Sequence, residues 1–268
     1  YFESACTMNH LYVAAQNSLT REWIPVAELL EQGDGYVLRY TKGAARLPGF
    51  GGLGRMNALE QSYYSPVLFP FFANRLIPKS RPEYRDYLRW VGLENAPASP
   101  LELLAVTGGI RATDGYQLIA PPRAENKILK LDFFARGLRY LPTEVLKLLF
   151  LQKSGAKVFL MKDVQNEKDG WALAIRTAEP MPLFVGYVPR YYCAGIARLL
   201  DSSSTKVNVK VNRINQDAPF DMKFLLSVEA ECPENFDILD DVSDFLPFTA
   251  RGAERLSNIA LANTQLDL

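Results

Sequence analysis

The chain is short of the residues on which most enzyme and scaffold chemistry depends. Its 268 residues include one histidine, His10, and three cysteines. A lone histidine near the start argues against a Ser-His-Asp relay and against a histidine metal cluster. Residues Tyr1–Thr7 read as an expression scar ahead of Met8, which leaves Cys193 and Cys232 as the natural thiols. Two cysteines are too few for a disulfide framework and lie too far apart for a zinc motif, so a reducing cytoplasm is expected. No apolar run approaches the ~20 residues that cross a membrane, and no secretory segment opens the chain. No membrane partner and no cofactor are expected. The glycine-rich Gly49–Gly54 stretch lacks the strand–loop–helix context of a dinucleotide fingerprint and reads as a loop.

Net charge is also absent in sum, with 30 Lys+Arg against 30 Asp+Glu, but the charges are unevenly spread. Residues 1–126 balance at 12 and 12, residues 127–228 hold 16 basic against 9 acidic, and residues 229–268 hold 2 against 9. A middle region of +7 is what a phosphate-binding surface needs. The acidic stretch through Glu229, Glu231, Glu234, Asp237, Asp240, Asp241 and Asp244 either folds back over that region or stays solvated.

The paired prolines Pro121-Pro122 favour extended, exposed backbone and mark a boundary. Before it, 11–14 and 36–40 read as strands, Trp23–Leu30 as a strand passing into a helical turn, and Gly33-Asp34-Gly35 as a turn. Helices are expected over Pro82–Val91 and over Pro100–Val106, the latter capped by Ser99 and ended by Gly108-Gly109. After it the pattern turns β-rich, with strands near 129–134, 158–161, 171–175, 184–188, 206–214 and 223–229 and a helix over Pro189–Leu200. The class is α+β: a mixed α/β first subdomain (8–122), a small β-barrel with one embedded helix (127–229) and an acidic extension (230–268).

Three stretches of the second half carry recognition chemistry. They are Gly137-Leu138-Arg139-Tyr140, the loop Asp163–Asp169 running on to Ala174-Ile175, and Val185-Gly186-Tyr187-Val188-Pro189-Arg190, with Ala218-Pro219-Phe220 closing the set. Their order and spacing resemble a HIRAN domain over about 129–229. The resemblance implies a non-catalytic module that binds single-stranded DNA, with a pocket for a 3′-hydroxyl end. On that pattern Tyr140 and Phe220 would stack on bases, Arg139 would hold phosphate, and Asp169 would accept a hydrogen bond from the terminal hydroxyl. The family often has a tyrosine where this chain has Lys168, which exchanges a stacking face for a phosphate contact. Arg190 at a helix start would hold phosphate or be solvated. A metal-dependent nuclease using Asp163, Glu167 and Asp169 is disfavoured, because the basic region has no second acidic cluster.

The first half resembles the N-terminal subdomain of HipA toxin kinases at Val37-Leu38-Arg39-Tyr40 with Gly43-Ala44, and at Leu68–Pro78. That implies a protein partner docked through this half, as in a toxin–antitoxin subunit, with no kinase core. Phe69, Phe71 and Phe72 read as core. Arg75, Lys79, Arg81, Arg85 and Arg89 form a basic stretch that would extend a DNA track or pair with Glu83 and Asp86. Thr107–Asp114 reads as a helix-ending turn that could alternatively hold a phosphate.

Overall fold

The computed structural model describes residues 9–248 except 96, 112, 203–205, 235 and 240–242. The presumed scar, Asp240, Asp241 and the extension beyond 248 lie outside the described residues. The chain divides into two compact units. One comprises the described parts of Tyr1–Leu76, Gly108–Ala120 and Val242–Leu268, the other those of Ile77–Thr107 and Pro121–Asp241. One of the crossings falls at Pro121, the first of the paired prolines.

The first unit is built on an antiparallel sheet of β1 (His10–Gln16), β2 (Trp23–Gln32), β3 (Gly35–Tyr40), β4 (Tyr63–Ser65) and β5 (Tyr116–Ile119), ordered β4-β3-β2-β1-β5. The short helices α1 (Gly43–Arg46) and α2 (Pro70–Ala73) complete it. The helical turn expected within Trp23–Leu30 does not form, because β2 is strand throughout. Residues 24–29, apolar except for Glu28, are all buried, so both faces of this central strand are covered. Pro25, which has no N–H to give, is accommodated where the β1–β2 register shifts between Val13 and Ala14.

Glu28 is buried within this sheet at 3% exposure, a position a lone carboxylate could not hold. It is paired with Arg39, and His10 Nε2 lies 3.0 Å away. Arg75 is not on a DNA track. Its side chain is 1% exposed and bonds Asp114 at 2.7 Å and the Gly109 carbonyl at 2.9 Å. The guanidinium also lies 4.2 Å from the Phe71 ring centroid. These partners occupy the Gly109–Asp114 turn. Phe69 and Phe72 are core, as expected.

The second unit begins with α3 (Tyr84–Val91) and α4 (Pro100–Thr107). Ser99 Oγ accepts from the Glu102 N–H at 3.1 Å while Glu102 accepts from the Ser99 N–H at 2.7 Å, a reciprocal capping box. In the basic stretch, Arg89 bonds Asp86 and Asp217 at 3.0 and 2.6 Å, an ordinary paired surface. The sheet follows: β6 (Arg123–Glu125), β7 (Ile128–Phe134), β8 (Lys157–Lys162), β9 (Leu173–Thr177), β10 (Phe184–Tyr187), β11 (Val207–Ile214) and β12 (Phe224–Glu231). Helix α5 (Thr143–Leu149), unforeseen, leaves β7, and α6 (Arg190–Asp201) leaves β10. Val209 and Val211 point inward on β11 and Lys210 outward, the period of a half-buried strand.

The strand order is β10-β9-β8-β11-β12-β7-β6, so no continuous ladder closes the expected barrel among the described residues. The sheet instead curls until its two sides touch at one pair. Arg136, just past β7, exchanges both backbone hydrogen bonds with Tyr187 of β10 at 2.9 Å. Gly186 permits this approach, since a Cβ there would stand 2.3 Å from the Arg136 carbonyl oxygen, and its φ of 146° suits glycine.

Candidate nucleic-acid interface

The Arg136–Tyr187 bridge delivers the chain to Gly137, whose φ of 89° turns it into the 3₁₀ segment Leu138–Tyr140. Leu138 is buried at 1% and anchors the turn. The two following side chains are thereby held outward. Tyr140 is 83% exposed, which leaves its ring face open to solvent. Arg139 bonds both oxygens of Asp221, at 2.9 and 3.2 Å.

Asp221 belongs to a second 3₁₀ segment, Phe220–Met222, begun by Pro219. Asn215 fixes that segment. It is buried and donates to the Met222 and Trp90 carbonyls at 2.8 and 2.9 Å. Phe220 stays 43% exposed. Lys223 Nζ sits 5.4 Å from the Phe220 ring centroid and the same distance from Phe150, and donates to the Gln216 carbonyl at 2.6 Å. Burial lowers the Lys223 pKa, and the nearby Asp217 carboxylate opposes that shift. Two sequence-distant turns, 138–140 and 220–222, are thus tied together by the Arg139–Asp221 pair, and Tyr140 and Phe220 lie exposed on those same turns.

On the other side of the bridge lies the loop 163–172. Asn166 organises it by accepting from the Lys168 and Asp169 N–H groups, both at 3.1 Å, and donating to Asp163 at 3.1 Å. Asp163 also accepts from the Tyr187 hydroxyl at 2.9 Å. The Asn166 amide and then the Tyr187 hydroxyl hold its carboxyl below the usual range, and the same bond raises the Tyr187 phenol. Asp169 accepts from the Trp171 N–H at 3.0 Å and lies 3.7 Å from Arg190 Nε. Lys168 is exposed beside it.

The six site residues expected from the sequence therefore fall into two clusters. Arg139, Tyr140 and Phe220 form one, and Lys168, Asp169 and Arg190 the other, joined through the backbone by Arg136, Gly137 and Tyr187. Arg190 and Asp169 are mutual partners. Asp221, Lys223 and Asn166 were missed by the sequence reading. A signal for Asp221 existed in its place directly after the expected stacking residue Phe220. Nuclease chemistry is not favoured by the geometry, because Asp163 and Asp169 are directed to different partners. Among the described residues, no group of three or more His, Cys, Asp or Glu is placed to hold a metal. Among them, too, no helix is long and apolar enough to cross a membrane.

No curated protein matches the chain. Two solved structures are similar in part. A protein from Lactobacillus plantarum is 20% identical with a TM-score of 0.31, the match covering 39% of this chain and 98% of that one. The HIRAN domain of human HLTF is 18% identical with a TM-score of 0.33, over 45% of this chain and 93% of that one. The resemblance of the first half to the HipA subdomain is not supported by these matches. The HIRAN domain family matches residues 128–229, and the segment so matched holds Arg139, Tyr140, Lys168, Asp169, Arg190 and Phe220.

Proposed function

We propose that the chain binds single-stranded DNA through its HIRAN domain, without chemistry of its own, and that it receives a 3′-hydroxyl end beside Asp169. The observation that carries this reading is the 83% exposed Tyr140 next to Arg139 and Phe220, on the HIRAN segment. Stacking rings and an arginine are the sequence-tolerant means of holding a single strand, because every base has a π-face and every nucleotide a phosphate. Asp169 supplies the end preference. Its carboxylate accepts a hydrogen bond from a terminal hydroxyl and repels a terminal phosphate. Lys168, exposed on the same loop, adds a phosphate contact. The buried thiols Cys193 and Cys232 suit a reducing compartment such as the cytoplasm.

The test is fluorescence anisotropy with one labelled oligonucleotide ending in a 3′-hydroxyl or a 3′-phosphate, repeated with Arg139→Ala and Tyr140→Ala. Tighter binding of the hydroxyl end, lost in both variants, is expected. Equal binding of both ends removes the end pocket, and no binding at low salt removes the DNA reading.

A further inference from the structure

Beyond the 139–140 and 220 surface lies a cleft of about 500 Å³, within the roughly 300–1,000 Å³ of small-ligand sites. It opens where α5 gives way to β8 and where β11 runs out toward Phe220. Its walls are Phe150, Gln152, Ser154, Asn212, Arg213 and Gln216, with Ile214. We propose that this cleft receives the next nucleotide of the bound strand, with Lys223 as the cation that carries the strand from Phe220 into it; the inference rests on the single-strand reading above.

The continuity is structural. Phe150 and Gln216 line the cleft and both touch Lys223, the first through its ring and the second through its carbonyl. The same ammonium stands equally close to the Phe220 ring. One cation within 5.4 Å of two ring centroids matches a strand that alternates phosphate and base. Phe150 is itself held by stacking on buried Phe224, at 5.9 Å and 12°. The cleft is polar, so it suits a hydrated nucleotide rather than an apolar ligand. Asn212 donates one amide N–H to Ser227 Oγ at 2.9 Å and Gln216 one to the Phe150 carbonyl at 3.4 Å; each keeps a second N–H and its amide oxygen, and with Gln152 they offer both donors and acceptors to a base edge.

The charges agree. Arg213 uses Nη1 on Glu94 at 2.9 Å, and its guanidinium has further N–H donors for a phosphate. The three carboxylates around this path are each matched by an arginine: Glu94 by Arg213, Asp217 by Arg89 and Asp221 by Arg139. Lys223 has a carbonyl and two rings as neighbours instead of a carboxylate in contact, so its charge remains available to the strand.

The experiment compares labelled oligothymidylates of about three and about eight nucleotides, the latter inside the span a small nucleic-acid module covers. Binding to the full chain is read by anisotropy for the wild type, Gln152→Glu, Lys223→Gln and Arg139→Ala. Gln152 lines the cleft and is half-buried, so Gln152→Glu adds a negative charge there with little change of volume. The longer strand should bind more tightly to the wild type. Gln152→Glu and Lys223→Gln should each erase most of that gain, about fivefold, while the short strand keeps its affinity for Gln152→Glu. Lys223→Gln should also flatten the log–log salt slope of the longer strand by about 0.7. Equal affinity for both lengths, or full retention of the length gain in both cleft variants, overturns the cleft and leaves the first surface standing. A wild type that binds neither strand, or an Arg139→Ala variant that binds both unchanged, overturns the single-strand reading itself and the cleft with it.

Discussion

Cutting the Arg139–Asp221 ion pair from either side should move DNA binding in opposite directions. The pair closes at 2.9 Å, but its side chains are 53% and 38% exposed. Unscreened by salt, two unit charges at that distance in bulk water attract by only ~1.4 kcal/mol, and exposed pairs contribute about 0.2–1 kcal/mol once side-chain ordering is counted. Neither Arg139→Ala nor Asp221→Asn should therefore lower unfolding free energy by more than about 1 kcal/mol. Their effects on the strand differ. Asp221 competes with a DNA phosphate for the Arg139 guanidinium and repels the backbone. Asp221→Asn removes that competition and should tighten single-strand binding by up to about fivefold, which corresponds to the ~1 kcal/mol the pair contributes. Arg139→Ala removes a charge-assisted phosphate contact, a class of bond that contributes about 1.5–3 kcal/mol, and should weaken binding by tenfold or more. Anisotropy titrations at one fixed salt concentration, beside urea melts of each variant, measure both quantities. If Asp221→Asn weakens binding as much as Arg139→Ala, the pair holds the two turns in place and the competition argument is wrong.

Tyr140→Ala should leave stability within ~0.5 kcal/mol, as expected for a surface residue, yet lower single-strand affinity by the ~1–3 kcal/mol of a lost base stack; the same two assays read it. Gly186→Ala should disrupt the Arg136–Tyr187 bridge, because its Cβ would lie 2.3 Å from the Arg136 oxygen. A loss of about 1–3 kcal/mol in urea melts, typical of overpacking, should come with weaker DNA binding, since the 138–140 turn hangs from that bridge. Glu28 should contribute to acid stability in the first unit. Burial alone would raise its pKa, but the hydrogen bonds from His10 and Arg39 outweigh that and pull it below the ordinary glutamate value. Its contribution is therefore complete above that ordinary value and is lost as pH falls through the lower folded one. Wild-type melts should lose stability on acidification through this range, and Glu28→Gln should be less stable at neutral pH, toward the low end of about 3–5 kcal/mol, with a shallower acid slope.

The regular elements of the second unit were legible because their signals are local. The Val207–Val211 alternation, the Ser99 cap and the Pro189 helix start each depend on neighbouring residues alone. What failed was non-local. Trp23–Leu30 mimics a helix start only until β1 and β3 flank it, and the sheet's pairing then decides. Arg75 reads as a surface cation until Asp114, far along the sequence, arrives to neutralise it. Helix α5 was overlooked although Leu146 and Leu149 share a helical spacing and Pro142 precedes it. Whether the second sheet closes could not be read from strand count, since closure depends on whether the last strands pair. The same division holds at the candidate site. Arg139, Tyr140 and Phe220 stand out by residue type and order alone, whereas Asp221 and Lys223 become candidates only when two distant turns meet.

The most direct measurement is the salt dependence of single-strand binding by the wild type and by Arg139→Ala. The account predicts measurable binding at low salt and a straight, steep fall of log affinity against log salt, with a slope about 0.7 shallower in Arg139→Ala, one phosphate contact fewer. Wild-type binding that is absent at low salt, or that leaves the slope unchanged when Arg139 is removed, would contradict it.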